Sequence, residues 1–110
     1  MNTLGTKQLD SIFESLGNDK RRGMIYSLAL SPATVSRLAS EHGLSLPAVH
    51  KHIRSLEGAK LITRRKSGRT NFVALNTRSL NLLQQWAGQF NTAWASDNAT
   101  LENYIAGMSG

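Results

Sequence analysis

Between His50 and Arg54 the chain places two histidines, a lysine and an arginine, inside the stretch Ser45-Leu-Pro-Ala-Val-His-Lys-His-Ile-Arg-Ser-Leu-Glu57. Residues of these types can ligate a metal, move protons, or grip an anion. Their spacing separates the three chemistries. On a helix each residue turns by ~100°, so Val49, Ile53 and Leu56 gather on one side with Leu46 at its edge. Pro47, Lys51 and Arg54 occupy the opposite side, flanked by Ala48, His50 and Ser55. His52 falls on the other flank, near the apolar side. Side chains two apart on a helix do not face one another, so His50 and His52 cannot chelate one ion. His42 would join them only through a tertiary contact. Catalysis has even less support: no nucleophile, base and orienting acid recur at motif spacing, no glycine-rich phosphate loop is present, and the seven acids are scattered. No metal site, no cofactor and no enzyme activity are expected. What remains is a surface that grips an anion, with His52 as a hydrogen-bonded scaffold residue.

The charge distribution says which anion. The 110 residues carry a formal charge of +6 at pH 7 and contain no cysteine. Residues 50–69 hold Lys51, Arg54, Lys60, Arg64, Arg65, Lys66 and Arg69 against Glu57 alone, so this segment accounts for the whole excess. Cations concentrated in this way are the footprint of a nucleic-acid binder rather than of a merely soluble basic protein. The absence of cysteine removes disulfides and thiolate sites and fits a reducing cytoplasm. No apolar run approaches the ~20 residues needed to span a bilayer, and the N-terminus lacks a secretory pattern. A cytoplasmic protein with no membrane partner is expected.

Several elements must position these cations. Leu9, Ile12, Phe13 and Leu16 mark one face of a first helix ending near Gly17. Asn18 or Asp19 caps a second helix with an Ile25, Leu28 and Ala29 face, stopped by Ser31-Pro32. Thr34 caps a third helix carrying Val35, Leu38 and Ala39, which Gly43 closes. Ser45 caps the fourth, with Pro47 in its first turn. Two short helices joined around a glycine outline a helix-turn-helix. Leu61–Lys66 and Arg69–Leu75 then read as two strands around Ser67-Gly68, a hairpin wing. From Thr77 to Met108 a long helix is expected, weakened at Gly88 and at Asn98-Ala99, with an apolar stripe near heptad spacing. The expected fold is thus mainly α with a small β-hairpin: a winged helix-turn-helix of about five helices and a two-stranded wing, forming one domain over residues 1–110.

Ser45, Pro47, Ala48 and His50 would lie near base edges in a major groove, with Lys51 and Arg54 closer to phosphates. Arg64, Arg65, Lys66 and Arg69 would bring the wing to the backbone or minor groove. Arg21 and Arg22 have two readings, phosphate contacts or ion pairs with Asp10, Glu14 or Asp19. The apolar stripe of residues 77–108 exceeds what one domain covers, and a second copy is expected to cover it. The residues given to that interface are Leu9, Ile12, Phe13, Leu83, Trp86, Phe90, Trp94, Leu101 and Ile105. A second reading gives the region to a small-molecule or protein effector, with a pocket lined by Trp86, Phe90 and Trp94.

From Leu9 to Asn76 the sequence resembles the ArsR-type winged-helix regulators, the arsenic-repressor-like family. The resemblance is carried by "LDSIFESLGNDKRRGMIYSLA", "TVSRLASEHGLSLPAVHKHIRSLEGAKLITRRKSGR" and "FVALN". It implies a homodimer built from the first and last helices, double-stranded DNA as partner, an imperfect palindrome as the site, and repression as the usual outcome. It also marks a departure. The family's thiolate sensors carry a cysteine box in the third helix, where this chain reads Thr34-Val-Ser-Arg-Leu-Ala-Ser40. Its zinc-type sensors use His and carboxylates on the last helix, where residues 77–108 hold only Asp97 and Glu102. Neither metal site carries over.

Overall fold

A computed structural model describes residues 3–92 and 100–109. Its order is α1 (Thr3–Leu16), α2 (Asp19–Leu30), β1 (Ala33–Thr34), α3 (Val35–Glu41), α4 (Leu46–Gly58), β2 (Ile62–Ser67), β3 (Thr70–Leu75), α5 (Thr77–Gly88) and α6 (Thr100–Ser109). The helix-turn-helix is α3 and α4, and the wing is the β2–β3 hairpin.

Local chemistry sets these boundaries. The Asn18 side chain accepts from the Arg21 amide at 3.0 Å, and Thr34 accepts from the Arg37 amide at 3.1 Å, each satisfying an orphan donor of a first turn. α3 and α4 end in the same way. Leu44 N–H donates to the Ala39 carbonyl at 2.9 Å with Gly43 at φ +62°; Leu61 N–H donates to the Leu56 carbonyl at 2.9 Å with Lys60 at φ +58°. Both are Schellman closures, in which the residue after the cap is left-handed. In the second, a lysine stands where glycine fits best.

The core is one cluster. Ile12 of α1, Met24 and Leu28 of α2, Val35 and Leu38 of α3, Val49, Ile53 and Leu56 of α4, and Leu61, Ile62 and Val73 around the sheet are all buried together. Four local expectations need correction. The buried side of α2 is Met24 and Leu28, while Ala29 is exposed, because α2 meets the core one position earlier than its sequence pattern suggests. The sheet has three strands in the order β1-β3-β2, with Ala33 opposite Val73 and Thr34 opposite Phe72. A two-residue strand beside a proline has too little periodicity to be read in advance. The hairpin turns on Gly68-Arg69 between Ser67 and Thr70, one residue later than expected, with Gly68 at φ +63° in the first central position. Finally, the C-terminal region is two helices, making six in all among the described residues. α5 stops at Gly88, a residue that costs ~1 kcal/mol relative to alanine in a helix interior. Trp94, Asp97, Asn98 and Ala99 lie outside the described residues.

Candidate nucleic-acid interface

α4 starts at a serine cap because the Ser45 hydroxyl accepts the Ala48 amide at 3.3 Å, leaving its own proton free to donate outward. Pro47, Lys51 and Arg54 are exposed and His50 is partly exposed, while Val49, Ile53 and Leu56 are fully buried. The division into a cationic outer side and an apolar inner side is therefore the one expected. Leu46 departs from it: it is 52% exposed at the start of the helix, beside the outer-side residues. Ser55 also departs, turning inward to share a 3.0 Å hydrogen bond with the buried Ser15 of α1.

The two histidines do part company. His52 Nδ1 accepts a hydrogen bond from Arg21 Nη1 at 3.2 Å, since a guanidinium only donates. Burial, then the charges of Arg21 and Lys51, hold the His52 ring below the usual imidazole range. It is a scaffold residue, as expected, and its partner is Arg21 on α2. Arg21 also donates through Nε to the Ser15 carbonyl at 2.6 Å and through Nη2 to the Glu14 carbonyl at 3.4 Å, and Arg22 donates to the Leu16 carbonyl at 2.7 Å. Neither reading of Arg21 and Arg22 anticipated this. They cap the carbonyl end of α1, which has no basic residue in its own last turn. Arg21 thereby joins α1, α2 and α4. Nothing in the local sequence marks an arginine whose partners are the carbonyls of the preceding helix. His42 shares a hydrogen bond with Ser27 at 3.0 Å, away from His50 and His52. Among the described residues no three His, Cys, Asp or Glu side chains group as metal ligands.

Besides the shared core, one ion pair among the described residues joins the wing to α4, Arg64 Nη2 to Glu57 Oε1 at 3.0 Å. Arg64 is thus a brace as well as a cation. Arg65, opposite Phe72, points to the other face of the hairpin, and Arg65, Lys66 and Arg69 are exposed. Because Glu57 follows Arg54 by three residues, the brace joins the outer side of α4 to the base of the wing. Two groups of cations far apart in character, helical and hairpin, become one connected surface.

The residues expected at an interface with a second copy divide differently. Ile12 is fully buried and Leu9 nearly so within this chain, so they are not available to a partner. Phe13, 43% exposed, meets Trp86 edge-on at 5.0 Å, and Trp86 meets Phe90 at 5.0 Å. Phe13 of α1, Trp86 of α5 and Phe90 just after it form an aromatic strip, and Leu83 is partly buried against the core. Leu101 and Ile105 are exposed on α6, together with Tyr104 and Met108.

Comparison with known proteins agrees with this geometry. Residues 18–64 match the sequence profile described as bacterial regulatory protein, arsR family. An HTH-type transcriptional regulator of Mycobacterium tuberculosis is 30% identical over 83 residues, covering 76% of this chain and 78% of that protein. The crystal structure of an ArsR family transcriptional regulator superposes with a TM-score of 0.76 at 32% identity, covering 84% of this chain and 96% of the other. The solution structure of a homodimeric winged helix-turn-helix DNA-binding domain from Mycobacterium bovis has the same fold, with a TM-score of 0.64 at 20% identity over 76% of this chain and 82% of that one.

Proposed function

The chain belongs to the arsR family of bacterial regulatory proteins, winged-helix DNA-binding transcription regulators, and from that premise we propose that it acts as a homodimeric repressor on a palindromic operator. The observation that carries this reading is the Arg64–Glu57 brace, which unites the exposed cations of α4 and the wing. The N-terminal half of α4, with Ser45, Pro47, Ala48 and His50, reads base edges in the major groove. Lys51 and Arg54 hold phosphates, and Arg65, Lys66 and Arg69 hold the backbone or minor groove beside them. The Mycobacterium bovis domain of the same fold is homodimeric. Here the strip of Phe13, Trp86 and Phe90 with the exposed face of α6 supplies the apolar surface that a second copy covers. With no cysteine in the chain, either release from DNA follows a signal other than a thiolate-bound metal or the protein is not a sensor.

Selection of bound sites from random duplex DNA tests the whole reading. Enriched sequences should be palindromic, with half-sites about one helical turn apart. Lys51→Ala should weaken binding evenly across sequences and reduce the salt slope by about one, whereas His50→Ala should change which sequences are preferred. Enrichment of no common sequence would overturn sequence-specific regulation.

A further inference from the structure

The end of α4 opposite its DNA-reading half opens onto a groove between α1, α5 and the turn at Lys60. This open groove of about 430 Å³ shares Gln8 and Lys60 with a second open hollow of about 340 Å³. Volumes of this order suit small molecules. Lys7, Lys60 and Arg78 line it, and among the described residues no carboxylate lines it and none of the three cations has an acidic partner. Gln8, Asn81 and Gln85 add amide groups that can fix a ligand's orientation.

The wall of the groove is held rigidly. Ser79, 2% exposed, accepts from Gln8 Nε2 at 3.0 Å and donates to the Lys60 carbonyl, tying α1, α5 and the turn together. Lys60 itself sits at φ +58°, the left-handed closing position of α4. A side chain there costs about 1 kcal/mol relative to glycine, and α3 closes on glycine at the same place. At that backbone cost the chain places an ammonium group at the groove.

We propose that this groove binds a small organic anion carrying two or more negative charges. DNA phosphate is the less suitable occupant. Lys60 lies ~13 Å beyond Lys51 at the rise of a helix, and the wing turn lies ~20 Å from the start of β2 at the rise of a strand. Bound charge draws Lys60 and Arg78 together and sets the end of α4 against α5. That regulatory consequence rests on the DNA-binding reading, while the binding itself does not.

Titration of the full chain with citrate, ribose 5-phosphate and inorganic phosphate, followed by amide NMR shifts, tests it. Citrate or ribose 5-phosphate should give saturable shifts confined to Gln8, Lys60, Ser79 and their neighbours, and saturation by inorganic phosphate alone would overturn the organic ligand. The affinity should fall at least tenfold in the double variant Lys60→Gly with Arg78→Gln, whose circular dichroism stays unchanged because glycine suits the turn. No saturable shift with any probe overturns the proposal, as do shifts spread equally over Lys51, Arg65 and Arg69. Loss of DNA affinity by the double variant without any small anion would make the groove a phosphate contact instead. A chain that saturates with anion yet selects no DNA sequence would keep this site and discard the regulator reading.

Discussion

His52 shows how one side chain's environment decides its role. Burial first, and the Arg21 and Lys51 charges second, hold its ring below the usual imidazole range, and its Nδ1 accepts from Arg21. In the unfolded chain it titrates near pH ~6.5. With the folded value lower, the unfolded chain binds more protons in the window just below that pH, so stability rises with pH there. The stabilisation is complete above pH ~6.5 and is lost as the pH falls toward the folded value. Thermal midpoints measured from pH 7.5 down to 5.5 should therefore drop in the wild type and drop less in His52→Gln. Equal slopes in the two proteins would remove His52 from this role. At the DNA surface Ser45 acts twice over, as helix cap and as outward donor, so Ser45→Ala confounds stability with recognition.

At the scale of elements, the paired closures of α3 and α4 give opposite expectations. Gly43→Ala puts a side chain on a left-handed residue and should cost about 1 kcal/mol in urea unfolding, although nothing lies within 4 Å of the added carbon. Lys60→Gly relieves the same strain and should gain a similar amount. Two changes of the same sign would mean that backbone strain does not govern these turns. For the wing, Arg65→Ala with Arg69→Ala should weaken operator binding and flatten its salt dependence, while leaving the Arg64–Glu57 brace and the thermal midpoint in place. Unchanged affinity would show that the hairpin stands clear of DNA.

For the whole molecule, the radius of gyration is 18.9 Å, where a compact chain of this length would have about 13 Å. Leu101, Tyr104, Ile105 and Met108 are exposed on α6, and the aromatic strip of Phe13, Trp86 and Phe90 is only partly covered. Apolar surface left open in this way favours association. Light scattering should give about twice the 12.0 kDa chain mass, falling to one chain mass in Phe13→Asp with Phe90→Asp. Operator affinity should fall in the same variant, since each half-site would lose its tethered neighbour. A wild-type mass of one chain at all concentrations would sink the dimer.

Much of this protein is determined by local sequence. The caps at Asn18, Thr34 and Ser45, the closure at Gly43, the inward set Val49, Ile53 and Leu56 and the cationic segment 50–69 follow from periodicity and side-chain chemistry acting over a few residues. The same short range explains why the sequence already separated His50 from His52. Tertiary structure alone decided which partners lie far apart in the chain. It gave Arg21 to the end of α1 and to His52, placed Ala33 beside Val73, joined Arg64 to Glu57, and set Gln8 on Ser79. It also turned Ile12 into the core while leaving Phe13 outside, although adjacent residues of one amphipathic helix look alike in sequence. The reason is physical: a helix or turn is settled by neighbours within about four residues, whereas burial and pairing depend on what the folded chain brings to each face.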